Sequence, residues 1–326
     1  MDFETVKETN SAMKMAGLFF FLVMFMEIPL SFFVVLLQDD FPVEYGTLVS
    51  ILITQGYLLV CGLLYLFFTR KFMRKDMMWK KYKLSSFFLS LVLLVCANPM
   101  ATWLNLLSQF VAKNEISNAI YEVTKIIPMW LGIVVIGCLP GFIEELLYRG
   151  IIYHAFRKRS ILTGVIVSAL VFGLMHMNFN QIMYAVYLGV VFALVVEATG
   201  SLVSSMVLHM LFNAWNTAYV YILPKLYNFL GQYSAEYKDV SMDEMMSKTV
   251  SKQEILSSLL MITPMAFVGL FLTILLLRQI AKINGRDFTW SYICGSREEV
   301  RQTSPVNVPL ILGCLFCIVI AIANLS

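Results

Sequence analysis

Residues 126–147 read IIPMWLGIVVIGCLPGFIEELL. The run is apolar apart from Glu144 and Glu145, and a helix needs about 20 such residues to cross the hydrocarbon core of a bilayer. A soluble helix of this length shows a charged or polar face, whereas one that is hydrophobic all round is buried or lies in lipid. The same reading extends in both directions. Runs at roughly 13–37, 46–69 and 85–111 precede it, and runs at 160–177, 181–198, 201–222, 256–281 and 307–324 follow. The expected fold is all-α, a polytopic helical membrane protein with about 8–9 transmembrane helices. Composition agrees: 59% of residues are hydrophobic and 14% charged, against about 25% charged in soluble domains. A net charge of +3 is too small to mark a nucleic-acid partner.

Three parts follow: N-terminal transmembrane helices over 1–125, a core over 126–222, and a C-terminal loop with further helices over 223–326. The first run is too long for a cleavable signal peptide, and Glu27 and Pro29 interrupt it, so it reads as a retained span. With the N-terminus in the cytoplasm, 18 of the 24 basic residues fall inside, Arg149 and the cluster Arg157, Lys158, Arg159 among them. The loop 70–83 carries seven of them, as a topology anchor able to meet anionic lipids. The acidic pair Asp39 and Asp40 falls outside. Five of the six cysteines sit in apolar runs, Cys314 and Cys317 within one helix, so no disulfide framework or metal cluster is expected from them.

Ionisable groups at membrane depth are costly and mark function, and they concentrate in the core. Glu144, Glu145 and Arg149 lie in GFIEELLYRG, His176 in VFGLMHMN, and His209 with Asn213 in VLHMLFNAW. Glu145 and Arg149 stand at i,i+4 with the acid first, the favourable order for an ion pair. Glu144 points about 100° away, which leaves it free for chemistry. Phe172 and His176, and His209 and Asn213, are likewise i,i+4 pairs that each share a helix face. With the cytoplasmic turn at Arg157–Arg159, Glu144 and His176 each lie 16 residues from Ser160, about 24 Å along their helices. His209 would lie about 12 Å beyond Ser201, deeper if that turn is drawn inward. A bend is expected at Pro140–Gly141.

E-E-x-x-x-R at 144–149, F-x-x-x-H at 172–176 and H-x-x-x-N at 209–213, in this order, resemble the signature of the CAAX protease and bacteriocin-processing (Abi) family of intramembrane proteases. The surrounding EELLYRGII and the Thr199-Gly200-Ser201 turn fit as well, and the resemblance covers about residues 126–220. It implies that a core four-helix portion carries the chemistry. Glu144 would be the general base that activates water, and His176 would position the water or share its proton. His209 and Asn213 would donate to the oxyanion, while Arg149 holds Glu145 and Phe172 shapes the cavity. No cofactor is required in this scheme. A zinc ion held by Glu144, His176 and His209 is the alternative, although no H-E-x-x-H is present and Asn213 is a better oxyanion donor than zinc ligand.

The expected activity is endopeptidase cleavage of membrane-associated or lipid-linked peptides, in a bacterial cell membrane, with lipids and the substrate as partners. The prenylated proteins cut by the eukaryotic branch are not the expected substrate. Two other classes compete. A proton-coupled carrier also buries Glu, His and Arg, but no inverted repeat is visible in the motif-bearing segments. A non-catalytic scaffold or immunity protein of the same fold would keep the residues without the reaction. Nothing in the pattern specifies an oligomeric state or a role for Glu27. His154 reads as interfacial, and Glu197, at a helix end, as reaching the headgroups.

Overall fold

The computed structural model describes residues 3–38, 41–69, 77–114, 116–234, 243, 250–295, 300 and 302–325, and every regular element among them is helical. Helices α1 (Phe3–Phe25) and α2 (Glu27–Gln38) follow one another through Met26. Then come α3 (Gly46–Phe68), α4 (Leu84–Ser108) and the short α5 (Ile116–Thr124). Helix α6 (Met129–Arg157) is continuous but changes winding along its length. It is followed by α7 (Ile161–Leu174), α8 (Phe179–Thr199), α9 (Leu202–Leu230) and α10 (Lys252–Ile283). The short α11 (Trp290–Cys294) and α12 (Val308–Ala323) close the chain.

The helix starts are written in the sequence. Ser160 accepts a hydrogen bond from the Thr163 N–H, Asn178 from that of Asn180 and Asn307 from that of Leu310. Ser251 and Glu254 form a reciprocal capping box. Each satisfies an N–H that the first turn leaves without an intrahelical partner. Helix α8 ends at Gly200, whose φ of 69° is the left-handed geometry that favours glycine, and its N–H returns to the Val196 carbonyl at 2.8 Å.

Among the described residues six helical stretches are long and apolar enough to cross a membrane: 3–37, α3, α4, α6, α8 and α10. Of the other expected spans, α7 and α12 are shorter, with 14 and 16 residues. Helix α9 has 29 residues but carries His209, Asn213, Asn216 and Thr217 on one side, which lowers its hydropathy. The most apolar windows of α6 and α8 are 50% and 61% buried, against 22% in α10, so α6 and α8 form the centre and α10 faces lipid.

The expected end of the central span at 147 is ten residues short. The chain stays helical to Arg157 and is fully buried from Leu146 to Phe156. Two π-wound stretches, Ile133–Cys138 and Leu146–Tyr153, flank the segment that carries Pro140 and Glu144. Pro140 has no N–H to donate, and the wider winding beside it absorbs the missing bond. The first run is interrupted at Met26, just before Glu27, and Pro29 falls in the first turn of α2, where its missing N–H is harmless.

Three expectations for polar residues are corrected. Arg149 is completely buried and therefore is not one of the cytoplasmic cations. His154 is buried as well, its Nδ1 2.5 Å from the Arg149 carbonyl, rather than interfacial. Glu197 does not reach headgroups: it is fully buried and accepts hydrogen bonds from Tyr153 Oη (2.7 Å), Arg157 Nε and Nη2 (2.7 and 2.9 Å) and Arg286 Nη2. Arg286 also donates to the Glu197 backbone carbonyl at 2.8 Å. This clamp ties the end of α6 and the end of α8 to the segment after α10. Asp39, Asp40, Arg70, Lys71, Arg74, Lys75, Lys238, Lys248, Arg297 and Arg301 lie outside the described residues.

Removing one member of a buried ion pair leaves its partners uncompensated. Glu197→Ala is therefore expected to destabilise the detergent-solubilised protein by about 3 kcal/mol. A thermal melt followed by tryptophan fluorescence reads the loss, and an unchanged midpoint would show that the arginines rehydrate without cost.

Candidate active site

The site is built where α6 and α9 cross. Gly137 and Gly141 stand four apart on α6, and a Cβ at Gly141 would lie 2.7 Å from the Met210 backbone N, one at Gly137 3.0 Å from Ala214 Cα. Only glycine lets the two backbones come this close. The consequence is that Glu144 and Glu145, one turn further along α6, meet His209 on α9.

Glu145 and Arg149 pair as their spacing predicts, Nη1 to Oε1 at 2.6 Å, with both side chains completely buried. The same Oε1 takes a second hydrogen bond from His209 Nδ1 at 3.0 Å. A carboxylate accepts only, so Nδ1 is the protonated nitrogen and Nε2 is the one presented to Glu144, whose Oε2 is 3.8 Å away. Arg149 is further held by aromatic faces: its guanidinium carbon lies 4.3 Å from the Phe172 ring centre and 5.5 Å from that of Phe192.

Phe172 thus does more than shape the cavity. It stacks edge-on against His176 (5.3 Å) and His209 (5.5 Å) and lies over Arg149. Phe192 stacks on the His209 ring at 5.2 Å and 29°. The imidazole is therefore held by two rings, and its Nδ1 is tied to Glu145.

His176 sits just past the end of α7, next to Met177, whose φ of 47° is unusual for a residue with a side chain. Its Nδ1 is 2.9 Å from the Phe172 carbonyl. A carbonyl only accepts, so Nδ1 carries the proton and Nε2 keeps its lone pair. The F-x-x-x-H spacing thus fixes the tautomer through the backbone at its first position as well as packing the ring.

Glu144, His176, His209 and Asn213 line one cavity of about 240 Å3 together with Phe172. Glu144 is buried, with only 6% exposed. Two further contributors carry no charge and so gave no signal as ionisable groups. Gln55, buried midway along α3, donates from Nε2 to Glu144 Oε1 at 3.4 Å, and Ile116 and Ile120 of α5 cover one side. Both were legible in another form: Gln55 as the one side-chain amide within the apolar run 46–69, α5 as an i,i+4,i+7 apolar stripe of Ile116, Ile120 and Val123.

Among the described residues no three His, Cys, Asp or Glu side chains are placed to hold a metal ion. His176 and His209 each give Nδ1 to a protein acceptor, which leaves Nε2 as the nitrogen free for chemistry, and that of His209 is 3.8 Å from the Glu144 carboxylate.

Residues 126–215 match the family described as type II CAAX prenyl endopeptidase, Rce1-like. The matched segment contains all three motifs. No curated protein and no solved structure matches the chain.

Proposed function

We propose that this protein is an intramembrane endopeptidase that uses Glu144 to activate a water molecule. The observation that carries the reading is the convergence of Glu144, His176, His209 and Asn213 on one buried cavity between apolar helices. The match of residues 126–215 to a protease family supports it at the level of the reaction class.

In this mechanism Glu144 removes a proton from water, and the oxygen attacks the peptide carbonyl. His176, with the Nε2 lone pair exposed to the cavity, shares that proton. His209 and Asn213, one turn apart on α9, donate to the oxyanion. For His209 this requires a doubly protonated ring, which gives Nδ1–H to Glu145 and Nε2–H to the oxyanion. The C–N bond then breaks, and the proton held at Glu144 passes to the leaving amine.

The substrate class is a membrane-associated or lipid-linked peptide, since the cavity lies at the depth of the spans. The membrane orientation that fits the basic residues places the N-terminus in the cytoplasm, and the cell is bacterial in style.

The test uses the purified protein in nanodiscs and a pool of quenched-fluorescence peptides, some lipidated. Cleavage is expected and is expected to survive a chelator. Asn213→Ala should lower kcat by roughly 10²–10³-fold with little change in KM, as for the loss of one oxyanion donor. Activity lost in chelator and restored by zinc would transfer the water to a metal. Vesicle uptake coupled to protons, without cleavage of any peptide, would support a carrier instead.

A further inference from the structure

A second cavity of about 240 Å3 adjoins the first and shares Ile116, Ile120, Tyr184, Phe212 and Asn216 with it. Its other walls come from α4 and from the segment leading into α5. They are unusually polar for this depth: Asn98, Thr102, Asn105, Asn114 and Ser117 line it, and no described lining residue is charged.

These polar groups are not equivalent. Asn105 is spent on structure, donating to Asn180 Oδ1 at 3.1 Å and accepting from Gln109 Nε2 at 2.9 Å, in a knot that fastens α4 to the start of α8. The side chains of Asn98, Asn114 and Ser117 make no hydrogen bond to any described residue. Asn98 is half-buried and lies 14 residues into α4, about 21 Å along the helix; at that depth the cavity, not lipid, supplies its partners. A side-chain amide both donates and accepts, and so does the backbone of an extended peptide. A peptide brought into a membrane has the complementary problem, because its own N–H and C=O groups need partners there. Joined, the two chambers reach the range of roughly 300–1,000 Å3 typical of ligand sites.

We propose that the second chamber binds the extended backbone of the substrate on one side of the bond attacked in the first, with Asn98, Asn114 and Ser117 meeting its N–H and C=O groups. The inference rests on the peptidase reading above and adds to it a means of selecting substrates. The enzyme recognises several residues of main chain beyond the scissile bond, through neutral groups, so it favours uncharged, extended segments there.

The experiment measures binding to the Glu144→Gln protein in nanodiscs by fluorescence anisotropy, with a short peptide of two residues on each side of the bond and a long one of six on each side. Asn98→Leu with Ser117→Ala is expected to weaken the long peptide roughly tenfold, the loss of one or two neutral hydrogen bonds, and to leave the short one unchanged. To separate a folding defect of the double variant from loss of the contact, the protein without these substitutions is also tested with long peptides N-methylated at single backbone amides. Methylation on one side only should reproduce the tenfold loss. Equal losses for both lengths, no loss for either, no effect of methylation, or no saturable binding of any peptide would each overturn the inference. Binding with this pattern but no cleavage by the wild type would reject the peptidase and keep the chamber. Glu144-dependent cleavage without the pattern would do the reverse.

Discussion

Glu144→Gln is expected to lower peptide turnover by roughly 10²–10⁴-fold, the range for loss of a positioned general base, while the protein stays folded. The second half of that statement follows from what surrounds the carboxylate. Glu144 is 6% exposed, yet its contacts are a long hydrogen bond from Gln55 at 3.4 Å and a 3.8 Å approach to His209 Nε2. No described arginine or lysine pairs with it. Glutamine has the same shape and can still accept from Gln55. His176→Ala is expected to act in the same direction, because the lone pair on its Nε2 is lost with the ring. The measurement compares initial rates and melting temperatures of the variants with wild type in the same nanodiscs. Equal rates for Glu144→Gln and wild type would end the assignment of Glu144 as the base. A large fall in melting temperature would instead make it a structural acid.

Helix periodicity is what made the site readable. Glu144 and His176 were placed at equal distance from the Arg157–Ser160 turn by counting residues, and both do line one cavity. The two meet although α6 is π-wound between Glu144 and the turn and His176 lies two residues beyond the end of α7. For His209 the count left two depths open, and the structure favours the deeper, because Ser201 does not mark a surface: it is fully buried, and its hydroxyl donates to the Lys80 carbonyl. The Thr199–Leu202 turn is thus covered by the chain before α4, and a contact across 121 residues has no local signature. Glu197 was misread for the same reason. Its partner Arg286 lies 89 residues away, so an acid at a helix end looks free to snorkel when it is in fact clamped. Gln55 was missed on other grounds. The rule that flags ionisable groups in a span passes over a neutral amide, although such an amide needs a partner just as surely.

Arg149→Ala is expected to cost about 3–5 kcal/mol of stability, the largest effect of any single change at the site. Arg149 and Glu145 have no exposed side-chain surface, so removing the guanidinium leaves a carboxylate in the protein interior without its cation. The lost side chain also leaves empty the space between Phe172 and Phe192 that it fills. A buried pair, however, repays little more than its own desolvation, and well-packed apolar replacements of both members are often neutral. Arg149→Met combined with Glu145→Leu should therefore recover most of the stability that Arg149→Ala loses. It should not recover activity. With Glu145 gone, His209 Nδ1 has no acceptor, and the ring is no longer held with Nε2 toward Glu144. Turnover is expected to remain down by roughly 10²-fold or more, as when a histidine loses its orienting carboxylate. Melting curves and rates on the three proteins separate the two roles. If the double variant is as unstable as Arg149→Ala, the pair is required for folding itself. If it is both stable and active, His209 does not depend on Glu145, and the oxyanion role falls to Asn213 alone.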